Sequence, residues 1–368
     1  MRFYILDDVV DPVSGELLRV ENAQIVSRAG LAVEKCQNWC GYRNRLPAEV
    51  PNNACQTCCD LWVATGELVG THRYPILDGV PRLVPSTGML DATANRSRRR
   101  TQESFGYEWE HFDRILPEYG REASNYFGLV DHSLFEDAVV LDAGCGTGRW
   151  ARHVAGRGVS RLYCVDFSRA IDRAAAVLAD QQNAHCVQAD VCRLPFRPAT
   201  FDFVYCLGVL HHLVDPDEGM RDVTRVLKQH GALLVYLYYS LENRPRFFRW
   251  LLLVVSSIRR LTVWLPKPIM NGLAWVIALT TYWPLSRLAA ALERLGLSRF
   301  AANVPLFHYR GCSLRLMAGD AFDRFATPIE RRYSRSDIRA WLARYRFGIE
   351  FSDREPYWVG LATRPTQS

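Results

Sequence analysis

A glycine-rich loop that follows an apolar run is the sharpest chemical signal in this sequence. The run AVVLD (138–142) leads into a loop with Gly144, Gly146 and Gly148, and a helical pattern follows. Glycine is required where the backbone approaches a ligand closely or takes a positive φ. A dinucleotide-binding fold has a similar loop, but a carboxylate at Asp142, directly before the glycines, would repel a pyrophosphate. That position instead suits a ligand with a cationic end.

Two further carboxylates follow the next two strand-like runs. Asp166 ends RLYCVD (161–166), and Asp190 follows AHCVQ (184–188). Ligands of open α/β sheets bind outside the carboxyl ends of the strands, so the carboxylates are expected on one rim. An acidic residue at the end of the second strand can bind ribose hydroxyls. A ligand with a cationic end, a ribose and an adenine would fit these three carboxylates.

The elements that must position these residues alternate between strand and helix. Further strand-like runs lie at 201–207 and 232–238, with a helical pattern at 217–228 between them. Such alternation is typical of βαβ units and a parallel sheet. We therefore predict an α/β fold with a doubly wound, mostly parallel sheet. A helix at 336–345 and two strands near 349–351 and 358–362 complete it.

Four motifs, in order, resemble those of class I S-adenosylmethionine-dependent methyltransferases of the type-11 superfamily. They are LDAGCGTG, VDFS, QADVCRLPF and FDFVYCLGVLHHLVDP. The resemblance covers about residues 139–238. It implies a seven-stranded methyltransferase sheet and S-adenosylmethionine as the cofactor. The residues after 240 add a predicted helical insertion after the fifth strand.

The same resemblance assigns cofactor-binding residues. Asp166 would hold the ribose, and Asp190 with Val191 would lie near the adenine. The residues at the methionine end would be Asp142, Gly144 and Gly146. The set is completed by Cys145, Gly148, Phe167 and Leu207.

His211 and His212 follow the fourth strand in GVLHHL, where the acceptor is expected to lie. Methyl transfer from a sulfonium is accelerated mainly by holding the acceptor atom in line with the methyl group. A base is needed only when the acceptor must lose a proton. A histidine with an ordinary pKa near 6.5 can accept one at neutral pH. Both histidines are therefore candidate catalytic bases; the alternative is that they pack or hydrogen-bond to order the loop.

Two other groups of residues each allow two interpretations. The segment SFGYEWEHF (104–112) resembles an aromatic segment of related bacterial methyltransferases that could lie over the cofactor, but aromatic residues at helical spacing are also typical of a core. Its aromatic residues are Phe105, Tyr107, Trp109 and Phe112. Asp320 and Asp323, in GDAFDRF, either face the acceptor or are solvated loop carboxylates.

Two close cysteine pairs predict a structural metal site near the N-terminus. Cys36 and Cys40 form the first pair, Cys55 and Cys58 the second, and Cys59 is an alternative ligand. Such pairs can place four thiolates around Zn²⁺. The segment YPILDGVPRLVP that follows resembles the zinc-binding domain of the tRNA-methyltransferase activator family. We predict a β-rich, zinc-ribbon-like domain over 1–85; the alternative is a ribbon that has lost its metal.

Residues 244–307 interrupt the strand–helix alternation. Phe247–Leu265 and Ile269–Leu285 are the most apolar stretches of the chain, but arginines and a proline break them. A spanning helix needs about 20 mostly apolar residues. The insertion is therefore expected to be either a lid over an apolar acceptor pocket or a set of helices in the membrane interface. Both interpretations indicate a hydrophobic or lipid-like acceptor, and the second predicts peripheral membrane contact through 247–285.

Composition limits the class of protein. The 368 residues are 49% hydrophobic and 23% charged, which excludes disorder and collagen. The N-terminus lacks a secretory signal pattern, and eleven cysteines then favour a reducing cytosol. The expected domains are 1–85, a basic linker over 86–102, a methyltransferase core over 103–243, the insertion, and a C-terminal completion of the sheet over 308–368.

We thus predict an S-adenosylmethionine-dependent methyltransferase with a small, hydrophobic or lipid-like acceptor. The predicted location is the cytoplasm, and the alternative is association with a membrane. A rival is an RNA methyltransferase in which the zinc module and the run Arg96–Arg100 grip phosphates. The sequence lacks an NPPY-like tetrapeptide after the fourth strand, which would have favoured nucleic acid. A second rival is a non-catalytic adaptor.

Overall fold

The computed structural model describes residues 1–27, 61–84, 92–112, 116, 118–354 and 358–365. Two sheets are found in this part of the chain. The smaller is antiparallel, with four strands in the order β1-β2-β3-β4. Its strands are β1 Arg19–Ser27, β2 Leu61–Val69, β3 Arg73–Leu77 and β4 Val80–Pro81. The N-terminal unit is therefore β-rich, as predicted.

The larger sheet has seven strands in the order β10-β11-β9-β8-β5-β6-β7. The strands from β9 to β7 in this order are mutually parallel, whereas β11 is antiparallel to both β9 and β10. This confirms the mostly parallel seven-stranded sheet. The strands are β5 Val139–Ala143, β6 Arg161–Asp166, β7 Ala184–Gln188, β8 Phe201–Leu207, β9 Leu227–Tyr236, β10 Gly348–Phe351 and β11 Val359–Thr363.

The central strand β5 is buried along its whole length. Successive side chains of a strand point to opposite faces. Val139 and Leu141 belong to one buried cluster, and Val140 belongs to the other. Both faces are covered, which is why the run is continuously apolar in sequence. The covering helices include α3 Arg149–Ala155, α4 Ala170–Val177, α5 Pro216–Val226 and α11 Arg335–Ala343.

The insertion follows β9, the fifth strand of the large sheet in chain order. Met270 and Ala274 are buried in one cluster with residues of the helix after the insertion. A π-helical turn, Ala278–Tyr282, continues directly into the next helix. Within the described residues, no helix is both long and apolar enough to cross a bilayer. The helices are α6 Arg246–Thr262, α7 Lys267–Ile277, α8 Trp283–Arg294, α9 Ser298–Ala301 and, after the insertion, α10 Leu314–Ala326.

Two helices precede the large sheet, α1 Ala92–His111 and α2 Glu118–Tyr126. α1 occupies part of the segment that we predicted to be a basic linker. Two of the basic side chains explain the difference, because they have partners elsewhere in the fold. Arg98 donates a hydrogen bond to Glu218 Oε2 (2.7 Å), and Arg100 donates one to the Val263 carbonyl oxygen (3.0 Å).

Candidate active site

A cavity of about 940 Å³ lies at the carboxyl ends of the parallel strands. The glycine loop, α1, α2, the insertion helices and α10 contribute to its wall. Ligand sites of doubly wound sheets occupy this position. The wall contains eight of the ten residues that the sequence predicts for the cofactor: Gly144, Cys145, Gly146, Asp166, Phe167, Asp190, Val191 and Leu207.

Two glycines of the loop allow close packing at the cavity. Gly144 has φ of +89°, and a Cβ atom placed on it would lie 2.3 Å from Val209 Cγ2. Gly146 has φ of +53°, and a Cβ atom there would lie 3.3 Å from the Trp109 ring. Both positions therefore combine a left-handed backbone with a close neighbour, which only glycine satisfies without strain.

Asp142 and Gly148 do not line the cavity, so their contact with the cofactor remains a prediction. Asp142 is buried behind the loop, where burial raises the pKa of its carboxyl well above the ordinary value against the opposing effect of the Tyr205 hydroxyl. Gly148 precedes α3 with φ of +78°, and a Cβ atom there would lie 3.1 Å from Ala174. Its physical role is the packing of α3 against α4.

Asp166 anchors the loop from the end of β6. Its Oδ2 accepts a hydrogen bond from the Gly146 backbone N–H (2.9 Å), and its Oδ1 accepts bonds from the Ser168 backbone N–H (2.8 Å) and hydroxyl (2.6 Å). Burial raises the pKa of Asp166, and these hydrogen bonds oppose the rise. A carboxylate offers about four acceptor sites. One therefore remains for a ligand hydroxyl, and the Ser168 hydroxyl can be displaced from another.

Asp190 lies at the next rim position and is held on both sides. Its Oδ1 accepts a hydrogen bond from the Cys192 backbone N–H (2.8 Å). Its Oδ2 lies 3.5 Å from a guanidinium nitrogen of Arg98. Arg98 also lines the cavity, which sequence analysis did not foresee.

The two candidate bases differ in their surroundings. His212 lines the cavity, and its Nδ1 donates a hydrogen bond to the Ile329 carbonyl oxygen (2.6 Å), which leaves Nε2 to accept a proton. His211 is fully buried, its ring centre lies 3.9 Å from that of Tyr238, and neither ring nitrogen has a hydrogen-bond partner within the described structure. Burial lowers the pKa of His211 well below the ordinary value. The geometry therefore favours His212.

The aromatic segment before the sheet contributes both to the cavity wall and to the core. Phe105 and Trp109 line the cavity, and Trp109 packs over Gly146. Tyr107 instead stacks on Phe322, with ring centres 5.5 Å apart. Phe112 does both, because it is buried in the cluster around α10 and also reaches the cavity wall.

Asp320 and Asp323 lie on α10 and face the cavity, so the interpretation as solvated loop carboxylates is wrong. The Tyr309 hydroxyl donates a hydrogen bond to Asp320 Oδ2 (2.7 Å), and the Tyr238 hydroxyl donates one to Asp323 Oδ2 (2.7 Å). Burial raises the pKa of Asp320, and the bond from Tyr309 opposes the rise. These pairs give the cavity a polar group of residues apart from the glycine loop.

Arg149 is a cavity residue that sequence analysis missed. Its guanidinium carbon lies 4.7 Å from the Tyr119 ring centre and 5.3 Å from that of Trp109. Burial lowers its pKa, but neighbours that include Tyr119 and Glu122 raise it more, so the pKa lies above the ordinary value. Arg149 is therefore a fixed positive charge in the wall. The available signal was its place directly after the third glycine, where a helix begins beside the loop.

Glu108, on α1, is a second missed residue. Burial and the neighbouring carboxyls of Asp323 and Asp320 raise its pKa well above the ordinary value. Its Oε2 has no hydrogen-bond partner among the described residues. A protonated carboxyl can donate one hydrogen bond and accept others. Glu108 is therefore available to a polar group of a bound molecule.

The rest of the wall is apolar and comes largely from the insertion. It includes Leu252, Val255, Leu273, Ile277 and Leu285. The helices of the insertion thus line the cavity, as a lid would. They also expose many apolar side chains to solvent.

The predicted zinc ligands, Cys36, Cys40, Cys55 and Cys58, lie outside the described residues. Within the described part of the chain, no group of three or more potential ligand residues is arranged to hold a metal ion. The zinc site remains a prediction.

Comparison with known proteins agrees with this geometry. Residues 141–235 match a family model described as a methyltransferase domain. An Encephalitozoon cuniculi protein that is named as a methyltransferase is 30% identical over 157 residues, which cover 39% of this chain and 69% of that protein. The chain therefore belongs to the class I S-adenosylmethionine-dependent methyltransferase family with a type-11 domain.

Two further relatives have more specific names. The ubiquinone biosynthesis O-methyltransferase of Idiomarina loihiensis is 32% identical over 35% of this chain and 51% of its own length. The demethylmenaquinone methyltransferase of Lactiplantibacillus plantarum is 32% identical over 36% of this chain and 63% of its own length. The chain thus spans between half and two thirds of these relatives. The solved structure of the Bacillus subtilis YcgJ protein aligns with 61% of this chain at 19% identity and a TM-score of 0.35.

Proposed function

We propose that the protein transfers the methyl group of S-adenosylmethionine to a small, hydrophobic or lipid-like acceptor. The observation that carries the proposal is that the glycine loop and the apolar insertion helices line the same cavity. The two relatives named for quinone biosynthesis support an acceptor of this kind. The polar residues around Glu108 and Asp320 give such an acceptor a place for one polar group.

The residues present fit the cofactor. Gly144 and Gly146 open the loop to a close ligand, and Asp166 retains acceptor capacity for a ribose hydroxyl. Trp109 and Phe167 add apolar surface at the same end of the cavity. When bound, S-adenosylmethionine supplies an electrophilic methyl group.

The chain's own residues would then position the acceptor and control its proton. Holding reacting atoms in line provides a large part of the acceleration in such a displacement. His212 is placed to receive a proton at Nε2, because its Nδ1 already donates to Ile329. Tyr238 and Asp323, hydrogen-bonded to each other in the cavity wall, can hold the polar group of the acceptor. The insertion helices supply apolar side chains to this part of the wall.

The rival assignment to RNA loses support from the basic run on α1. Arg98 lies between Glu218 and Asp190, and Arg100 stacks over Trp264 at 4.1 Å from the ring centre. Arginines held by internal partners are poorly placed to grip phosphates.

We further propose that the N-terminal cysteines hold a structural zinc ion. The donor set fits, because four thiolates suit tetrahedral Zn²⁺. Purified protein should contain about one zinc per chain, and Cys36→Ser should lose it while cofactor affinity is retained. Metal analysis by plasma mass spectrometry checks this. Zinc-free protein from a chelator-free preparation would contradict the proposal.

The test of the catalytic proposal is the fate of a labelled methyl group. The protein is incubated with methyl-labelled S-adenosylmethionine in three separate reactions. One contains a membrane lipid extract, one an aqueous metabolite extract and one total RNA. Label should enter the lipid extract, and it should do so much more slowly with the Asp166→Ala variant at a cofactor concentration below saturation. Labelling of RNA or of aqueous metabolites alone would overturn the acceptor class, and no transfer in any fraction would overturn the catalytic proposal.

A further inference from the structure

The insertion helices carry most of the large apolar side chains that the described structure leaves exposed. Of 21 such side chains, 17 lie between residues 247 and 300. Soluble monomers rarely expose contiguous apolar patches above a few hundred Å², and larger patches mark binding surfaces. The remaining four are spread over the N-terminal 77 residues. The exposure is therefore a property of the insertion and not of the whole surface.

Helix α6 shows how this surface is organised. Of its 17 residues, Thr262 alone is buried. Five exposed apolar residues follow one another at intervals of three or four and so form a single stripe. They are Phe247, Trp250, Val254, Ile258 and Leu261. Trp250 is 71% exposed and Leu261 is 76% exposed, which is unusual for side chains of this size.

Basic residues accompany the apolar ones. Residues 244–307 contain nine Lys and Arg residues but only one acidic residue, Glu293. Their net charge of +8 exceeds the +6 of the entire chain. On α6, Arg246, Arg249 and Arg260 are exposed, and helical spacing places them on a stripe beside the apolar one. We call the exposed apolar and basic residues of 246–300 the docking surface.

We infer that the docking surface binds the face of an anionic phospholipid bilayer. Helices that combine a Trp- and Leu-rich face with a basic face lie in the membrane interface, where apolar burial and attraction to anionic lipids add together. Each basic residue near such a surface contributes further attraction. The surface therefore matches an anionic bilayer in both of its components.

The other occupants match only one component. A second copy of the chain would cover the apolar stripe but would bring two surfaces with exposed arginines of like charge together. RNA would satisfy the arginines through its phosphates, but it would leave side chains such as Leu253 and Leu261 without apolar cover.

The cavity connects with this surface. Leu251, Val254 and Ile258 are exposed and also line the cavity. The apolar wall of the cavity is thus continuous with the docking surface, so an acceptor dissolved in the bilayer can enter without crossing water. This route for the acceptor rests on the proposed function, whereas bilayer binding does not.

Vesicle flotation at physiological ionic strength tests bilayer binding. The full chain should float with vesicles of equal parts phosphatidylcholine and phosphatidylglycerol, and much less with phosphatidylcholine alone. Trp250→Ser combined with Leu261→Ser should weaken binding at least tenfold. Leu17→Ser is the matched control, because Leu17 is 63% exposed but lies in the N-terminal unit. Cofactor affinity, measured by calorimetry, checks that each variant is folded.

Charge reversal provides the second comparison. Arg249→Glu should weaken binding to the anionic vesicles by about fivefold or more, whereas Arg197→Glu, at an exposed position outside the insertion, should not. Failure of the folded protein to float, or equal binding by the Trp250/Leu261 variant, would overturn the inference. Two other results would also overturn it. Ultracentrifugation could show concentration-dependent dimers, or the protein could be retained on RNA, and the Trp250/Leu261 variant could abolish that association while its flotation is unaffected.

The acceptor route needs a separate readout. Membrane lipid extract is supplied either in vesicles or dispersed in detergent, with methyl-labelled S-adenosylmethionine. The Trp250/Leu261 variant should lose transfer from vesicles while keeping transfer from detergent. Equal loss of transfer from vesicles and from detergent would overturn the route. If the unmodified protein transfers no label in either assay, the proposed function is overturned. Bilayer binding is judged by flotation and is not affected by that result.

Discussion

The glycine-loop end of the cavity and the insertion end are built in different ways. At the first, a parallel sheet with both faces covered holds the loop, and Asp166 fixes Gly146 through a backbone hydrogen bond of 2.9 Å. At the second, helices with few buried residues provide an apolar wall, and one of them, α6, buries only Thr262. The glycine-loop end is supported by the core of the domain. The insertion end leaves apolar side chains exposed, so its surface needs a further partner to cover it.

This difference separates two requirements of a transferase. Atoms that react in line must be held within a fraction of an ångström, which a rigid sheet rim provides. A hydrophobic acceptor needs apolar area and an entrance, which loosely packed helices provide. The polar residues between the two, among them Arg149 and Glu108, are buried and belong to helices next to the loop.

Replacing residues 244–305 with a Gly/Ser linker should have the largest effect. Acceptor turnover should fall at least about a hundredfold, because the acceptor loses its wall and its alignment. Cofactor affinity should change little, because the glycine loop and Asp166 lie outside the deletion. Calorimetry and labelled-methyl transfer measure the two quantities.

The deletion also exposes α10, which packs on α7 through Met270 and Ala274, so a second variant is needed. Leu273→Gln with Ile277→Gln keeps the helices and places polar groups in the cavity wall. It should lower turnover at least tenfold at nearly unchanged cofactor affinity. If either variant transfers methyl groups at the original rate, the two ends do not have separate roles.

Asp166→Ala should have the next largest effect, at the opposite end. A hydrogen bond to a charged group contributes about 1.5–3 kcal/mol, so loss of the ribose contact should weaken S-adenosylmethionine at least tenfold. Asp180→Ala is the control, because Asp180 is an exposed carboxylate that pairs with Arg152 (2.7 Å) away from the cavity. Unchanged affinity in calorimetry of the Asp166 variant would remove Asp166 from the site.

The sequence predicts the sheet and most of the glycine end because those features are local. Strand–helix alternation and glycine spacing are visible along the chain. Gly148 was predicted to bind the cofactor, but it lies away from the cavity wall and close to Ala174, which belongs to another helix. Proximity of this kind depends on how α3 packs against α4, which spacing does not reveal.

The polar part of the cavity could not be predicted in the same way. Asp320 and Asp323 lie in a segment with a weak helical pattern, and their tyrosine partners, Tyr309 and Tyr238, come from different elements. Glu108 is one of several acidic residues on α1, and only the tertiary fold buries it. Burial of a charged side chain opposes its ordinary tendency, so single-sequence reasoning assigns such residues to the surface.

Glu108→Gln should have the smallest effect, one that appears in stability and depends on pH. Burial first, and then Asp323 and Asp320, raise the pKa of Glu108 above its ordinary 4.5 in the folded state. Above that ordinary value the unfolded chain releases the proton while the folded chain keeps it, so the free energy of unfolding falls as pH rises, by at most about 1.4 kcal/mol per pH unit. Glutamine is neutral and close in size, so the variant should lose this dependence and become relatively more stable from pH 5 upward.

Glu110→Gln, at an exposed position of the same helix, is the control and should keep the slope of the unmodified protein. Urea unfolding across this pH range measures the slopes, and parallel slopes for the Glu108 variant and the unmodified protein would show that Glu108 is ionised in the folded cavity.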